Sequence, residues 1–219
     1  MLVSGRPCGF VNGAWFRHAD LAVNRPLEGT KPREYHVDCP GEPSVSVPLT
    51  LVLGGARSGK SRYAERVVAA LPPPWVYLAT AEGHDEEMSA RINAHRGRRG
   101  ADWQTIEASR DLPAALSACG QIPVLVDCLT LWLSNLMLAD ADIEAAMQAL
   151  EITLASRTAP TVLVANEVGS GIVPEFPLGR RFRDLQGVLN QRIAARANRV
   201  VLMVAGLPLA LKGTLEGVS

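Results

Sequence analysis

Paired cysteines are missing from this sequence: Cys8, Cys39, Cys119 and Cys128 form no CxxC motif. His36 and Cys39 stand three apart, but one such pair does not close a zinc site, so the four read as ordinary free thiols of a cytosolic protein. An excess of either charge is missing too. Lys plus Arg and Asp plus Glu both number 22, which removes the global basic field a nucleic-acid binder carries, and no nucleic-acid partner is expected. Long apolar runs are absent: the longest, residues 124–138, is short and interrupted by Asp127. It reads as a buried strand plus a helix, so no transmembrane segment is expected. The first residues lack the apolar segment of a signal peptide, which points to the cytoplasm. No N-K-x-D guanine motif occurs, and that counts against a GTPase switch. What remains is a globular composition, 47% hydrophobic and 20% charged over 219 residues, enough to bury one substantial core.

The chain changes texture near residue 48. Residues 1–47 are rich in proline, glycine and charge without a period of 2 or 3.6, and read as an N-terminal extension of loop or disorder. Within them "FVNGAWF" can form a small hairpin. Residues 48–219 alternate short apolar runs with helical patterns. "LTLVLGG", "WVYLAT", "WQTIEA", "PVLVDC", "TVLVANE" and a closing "RVVLMVAG" read as strands. "KSRYAERVVAAL", ended by Pro72–Pro74, "DEEMSARINAHRG", "DLPAALSAC", "TLWLSNLML", "ADIEAAMQALEITLASR" and "LGRRFRDLQGVLNQRIAARAN" read as helices. Strands with almost no polar face, alternating with helices, predict an α/β fold: a mostly parallel sheet covered on both sides.

Residues Gly54, Gly55, Ala56, Arg57, Ser58, Gly59, Lys60 and Ser61 match G-x-x-x-x-G-K-[ST] in full, between a predicted strand and a predicted helix. Glycines let the backbone curl into a nest of N–H groups that point at phosphate oxygens. The helix opening at Gly59–Lys60 adds the positive end of its dipole. Lys60 reaches the terminal phosphates and the Ser61 hydroxyl ligates Mg²⁺. Arg57 is either a phosphate contact or a solvent-facing residue. Asp127, at the carboxyl end of a buried strand, fits as the acidic partner of the metal; its plainer role is to cap the next helix. Asn166–Glu175 reads as a loop at a strand's carboxyl end, where open α/β sheets bind ligands, or as a plain connection. Glu167 in it can assist the metal or a substrate hydroxyl.

Together with the loop, "LATAEGHDEEMSARINAHR" (78–96), "VDCLTLWLSNL" (126–136) and "NEVGSGIVPEFPLGRRFRDLQGVLNQRIA" (166–194) resemble the bifunctional adenosylcobinamide kinase/adenosylcobinamide-phosphate guanylyltransferase family, in order, from about residue 50 to 212. The resemblance implies a P-loop NTPase-like three-layer sandwich and two reactions. ATP or GTP phosphorylates the aminopropanol hydroxyl of adenosylcobinamide. GTP then donates GMP to that phosphate through a guanylylated histidine, leaving adenosylcobinamide-GDP and pyrophosphate. That histidine falls on His95, for which a half-buried helix position is the plain alternative. As chemistry, neutral imidazole is a good nucleophile near pH 7, and a phosphoramidate divides one hard transfer into two. Arg91 lies one turn earlier. The family's other nucleotide contacts fall on Thr80, Ala81 and Glu82, on Arg96, Gly97, Arg98 and Arg99, and on Glu107, whose carboxylate can accept from a guanine edge. Ring-like homo-oligomers, typically trimers, are also implied. The family generally begins just before the first strand, so residues 1–47 are extra: a misread start, a disordered tail or an added contact surface. Two alternatives stand beside it, a P-loop small-molecule kinase without nucleotidyl transfer and a non-catalytic regulatory nucleotide binder.

Overall fold

Short apolar runs have become strands and amphipathic runs helices wherever the computed structural model describes the chain, at residues 10–11, 14–15, 49–82 and 100–215. The chain divides into two units, Met1–Pro43 and Ser44–Ser219. In the first, β1 (Phe10–Val11) and β2 (Ala14–Trp15) pair antiparallel, Phe10 opposite Trp15. The hairpin read from "FVNGAWF" is present.

The second unit runs β3 (Leu49–Gly54), α1 (Lys60–Ala69), β4 (Trp75–Ala79), β5 (Trp103–Glu107), α2 (Leu112–Ala118), β6 (Val124–Asp127), α3 (Leu129–Leu138), α4 (Ile143–Ser156), β7 (Thr161–Asn166), α5 (Pro177–Arg196), β8 (Arg199–Val204) and β9 (Leu207–Lys212). One seven-stranded sheet has the order β5-β4-β6-β7-β3-β8-β9, with every pairing parallel except β8–β9. The helical stretch expected at "DEEMSARINAHRG" lies outside the described residues.

Period two divides each strand between two cores. Leu51, Leu53, Val124, Val126, Leu163 and Ala165 face α2, α3, α4 and α5. Val52, Tyr77, Leu125, Val162, Val164 and Val201 face α1, through Tyr63, Ala64 and Val68. Helices therefore cover both faces, as the unbroken apolar strands require. Fully burying each leucine of this set contributes about 2 kcal/mol. Helix α3 is apolar nearly all round and correspondingly deep, with Leu129, Trp132 and Leu133 at zero exposure.

One expectation needs correcting. "RVVLMVAG" reads as the last strand, but β8 stops at Val204 and the chain reverses through Ala205 and Gly206 into β9. Both turn residues have positive φ, 51° and 84°, and Val204 pairs with Leu207. Such a two-residue reversal matches the twist of an antiparallel ribbon. Alanine in place of the usual asparagine hides the signal.

At the amino-terminal end of the strands, Arg157 acts as a staple. Its guanidinium donates to the carbonyls of Leu116 (3.0 Å), Gly120 (2.9 Å) and Ile122 (2.5 Å) and to Thr161 Oγ1 (2.9 Å). These bonds tie the end of α2 to the start of β7. Arg157→Ala strands those acceptors and is expected to cost about 2–4 kcal/mol. Chemical denaturation of variant and parent measures the loss, which should appear without change in nucleotide affinity.

Candidate functional site

The residues of the G-x-x-x-x-G-K-[ST] match leave the sheet at the carboxyl end of β3. The backbone leaves the sheet at Gly54, where a Cβ would meet Ser58 Oγ at 2.5 Å and the Met203 carbonyl at 2.7 Å; the hydrogen of glycine is what fits. Gly55, Ala56 and Arg57 are exposed, and Arg57 adopts φ 56° with its side chain toward solvent. Gly59 caps α1 at φ 94°. Tyr63 N–H donates to the Gly59 carbonyl at 3.0 Å, the first helical bond.

Helix α1 has no side-chain cap at its start and no acidic residue in its first turn. Helices ordinarily satisfy their leading amides with Ser, Thr, Asp or Asn. Leaving them unspent beside a curled loop makes an anion site. The loop is also held from beneath: Gly206 N–H donates to the Ser58 carbonyl at 3.0 Å, and Glu167 N–H to the Gly54 carbonyl at 3.1 Å. The β8–β9 turn thus serves as a support for the loop, a role not legible before the turn itself was known.

Lys60, half-buried, folds over the loop and donates from Nζ to the Gly55 carbonyl at 3.0 Å. Burial holds it below its ordinary 10.5, partly offset by Cys128 and Asp127 nearby. Asp127 ends β6, two strands from β3. By strand alternation it shares the α1 face with Leu125, and its Oδ2 accepts from the Tyr77 hydroxyl at 3.1 Å. Tyr77 therefore orients the acidic group, a contact across fifty residues of chain that no spacing rule announces. The Cys128 thiol behind it is fully buried. Burial pushes it up to about 11, and the Asp127 charge adds to the rise, so it stays neutral and unreactive.

Among the described residues no group of three His, Cys, Asp or Glu converges to hold a metal ion. Mg²⁺ does not demand one. It binds through one or two protein oxygens plus phosphates and water, and the Ser61 hydroxyl in the first turn of α1 with the Asp127 carboxylate is a donor set of that kind.

The remaining predicted contacts are spread along the same edge. Thr80, just after β4, is fully buried. Its hydroxyl donates to the Cys128 carbonyl and accepts from the Cys128 N–H, both at 2.7 Å. Asn135 of α3 donates to the Thr80 carbonyl at 2.8 Å and the Ser109 carbonyl at 3.0 Å. Thr80 thus closes the strand ends upon one another. Ala81 and Glu82 follow it, Glu82 3.4 Å from Arg110. Glu107 ends β5, the outermost strand. Four strand spacings separate it from Gly54, ~19 Å, so it stands apart from the phosphate cradle and within reach only of the far end of a nucleotide. His95, Arg96, Gly97, Arg98 and Arg99 lie outside the described residues.

Comparison with known proteins decides the family. The model described as cobinamide kinase / cobinamide phosphate guanyltransferase matches residues 50–211. The chain belongs to this family. It is 47% identical over 167 residues to the bifunctional adenosylcobalamin biosynthesis protein CobP of Pseudomonas aeruginosa, covering 74% of this chain and 96% of that one. It is 39% identical over 181 residues to the CobU protein of the same description from Salmonella typhimurium, covering 75% and 99%. Among solved structures, the P4 protein from bacteriophage phi6 in complex with ADP is similar at 16% identity and TM-score 0.45, over 88% of this chain and 64% of that one. The cobinamide kinase/guanyltransferase match spans the phosphate loop, Asp127 and the Asn166 loop together, in a mostly parallel α/β sheet. No helix among the described residues is long and apolar enough to cross a membrane.

Lys60 carries a cost in the ligand-free protein. A cation with a depressed folded value loses stability while protonated, and the unfolded chain holds that proton more tightly. Lys60→Met should therefore raise Tm near neutral pH, with the gap to the parent narrowing as pH climbs toward 10.5, the ordinary lysine value. Cys128 acts with the opposite sign above its ordinary 9.0 and is itself lowered by Lys60, so the narrowing is read below pH 9. The same variant should lose at least about tenfold in triphosphate affinity. Calorimetric unfolding across pH and nucleotide titration check the two halves.

Proposed function

We propose that this chain is an adenosylcobinamide kinase and adenosylcobinamide-phosphate guanylyltransferase in which one P-loop site serves both steps. The observation that carries it is the unspent amide nest at the start of α1, facing Asp127 across β7, inside a span matched throughout by the family.

In the kinase step the loop amides and Lys60 hold the triphosphate of ATP or GTP. The acceptor hydroxyl forms a bond to the γ-phosphorus, the bond from that phosphorus to the β-phosphate oxygen breaks, and the nucleoside diphosphate leaves. Lys60 and the helix start offset charge on the equatorial and leaving oxygens. Ser61 and Asp127 would hold Mg²⁺, which supplies further neutralisation of phosphate charge when bound. Tyr77 keeps the Asp127 carboxylate turned toward that position.

In the second step His95 attacks the α-phosphorus of GTP and expels pyrophosphate. The phosphate of adenosylcobinamide phosphate then displaces the imidazole and carries GMP away. Arg96, Arg98 and Arg99, with the Gly97 backbone, are assigned to the triphosphate. Thr80, Ala81, Glu82 and Glu107 are assigned to the nucleoside side, Thr80 through its backbone because its hydroxyl is closed upon Cys128.

Residues 48–219 are the enzyme domain and residues 1–47 an added segment; the protein works in the cytoplasm. A homo-oligomer, a trimer by family likeness, is supported by the edge strand β9, where Leu207, Leu209 and Leu211 stand exposed in alternation. An open apolar edge of that kind is ordinarily covered.

GTP labelled at the α- or γ-phosphorus separates the steps. Acid-labile, alkali-stable label should enter the protein from the α-position alone and be lost in His95→Ala. That variant should still move γ-label to cobinamide within about threefold of the parent, since the nucleophile is not part of phosphoryl transfer. A parent protein that takes no α-label is a kinase only; one that transfers neither label is a nucleotide binder.

A further inference from the structure

Strand β7 lies between the phosphate-loop strand β3 and the Asp127 strand β6, and it ends in asparagine. In register, Asn166 stands opposite Gly54, the first residue of the loop, while Asp127 stands opposite Val164. Val162 and Val164 face α1, so strand alternation puts the Asn166 side chain on that same face, shared with Asp127 and Lys60.

The Asn166 backbone is tied by side chains from two helices. Its N–H donates to Thr130 Oγ1 of α3 at 2.7 Å, and its carbonyl accepts from Asn190 Nδ2 of α5 at 3.1 Å. Asn190 Oδ1 accepts in turn from Gln186 Nε2 at 2.8 Å, and both α5 residues are buried. Buried amides cost free energy unless their bonds are made. One of these bonds fixes the Asn166 carbonyl, while Gln186 Oε1 is left without a partner. Yet Asn166 Oδ1 is itself buried without a hydrogen-bond partner, as is Ser58 Oγ inside the loop. Of the described side chains in that state, Asn166 ends β7 and Ser58 lies in the loop that follows β3. An orphaned buried oxygen on so carefully held a residue points to a group supplied by a ligand.

We propose that the Asn166 carboxamide contacts the reacting groups of the kinase step, with Oδ1 accepting the O–H of the incoming alcohol and Nδ2 donating to an oxygen of the γ-phosphoryl. This rests on the preceding assignment of the triphosphate to the loop. A neutral amide offers an acceptor and two donors without repelling phosphate, which neither aspartate nor alanine reproduces. Asn166 is no base. It orients the hydroxyl as the new oxygen–phosphorus bond forms, the diphosphate leaves with its bonding electrons, and the hydroxyl proton passes to solvent. In guanylyl transfer the γ-phosphoryl is only part of the departing pyrophosphate, and no acceptor alcohol is present.

The two reactions therefore respond differently. With the full chain, cobinamide and γ-labelled GTP, Asn166→Ala should lower kcat for phosphoryl transfer about 10- to 100-fold, with KM for GTP changed less than about threefold. Asn166→Asp should be slower still, because its carboxylate repels the transferring group. At saturating GTP, formation of the α-labelled protein adduct should stay within about threefold of the parent in Asn166→Ala, and this also reports that it folds. The proposal is overturned if kcat is unchanged, if both reactions fall by a common factor, or if Asp outperforms Ala. Failure of the underlying assignment shows elsewhere, in a parent chain that transfers neither label.

Discussion

A helix that begins without a cap is the constraint on which the rest of this molecule depends. Residues Gly59 and Lys60 open α1 where most helices place a side chain that satisfies the leading amides. The deficit is tolerable only because the surroundings fix the loop from outside. Strand β3 is buried on both faces and paired on both edges, to β7 and β8. The Gly54 and Ser58 carbonyls are each engaged by an amide from a neighbouring strand end or turn. A loop so held loses little entropy on meeting a phosphate, so much of the interaction remains available for affinity and for charge stabilisation.

Legibility followed the range of the interactions. Glycines and lysine from 54 to 61 act within one turn of backbone, and a one-dimensional pattern captures that completely. The strands β3, β6 and β7 are buried on both faces, so their apolar runs could be read without knowing their neighbours. Tyr77–Asp127 and Thr80–Cys128 could not, because each joins two strands whose adjacency is a product of topology. Thr80, whose hydroxyl closes on a neighbouring strand end, has only its backbone to offer the nucleotide that family likeness assigns to it. Strand β9 was missed for a different reason. Its turn uses alanine at a positive φ, where sequence patterns look for asparagine or glycine.

The polar residues inside the second unit are not scattered. Asn135 fixes the ends of β4 and the segment after β5, Thr130 fixes the end of β7, and both belong to α3. A helix this apolar would pack adequately with leucine at either position. Two hydrogen-bonding groups on it convert a greasy strut into a template that sets where three strand ends stop. Ala81, just after β4, and Glu167, just after β7, inherit their positions from that template.

Helix α5 extends the same logic to the other side of the site. Near its start, Arg180 and Arg183 donate to the carbonyls of Pro174, Glu175 and Gly169, shaping the loop that follows β7. At its middle Gln186 and Asn190 reach the end of β7 itself. At its far end Arg192 and Arg196 pair with Glu144 and Glu151 of α4. Twenty residues of helix span ~30 Å, so one rigid element carries both the loop after β7 and the Asn166 backbone and is itself anchored well away from either. Ion pairs near the surface contribute little stability, but these join α5 to α4, two of them through the largely buried Glu151. A turn of α5 would move Asn190 away from the Asn166 carbonyl and Arg183 away from Gly169 together, and the two would fail as one. The loop after β7 and the edge of the phosphate site are therefore a single mechanical unit, which is what a reaction joining a large acceptor to a small moving phosphoryl group requires.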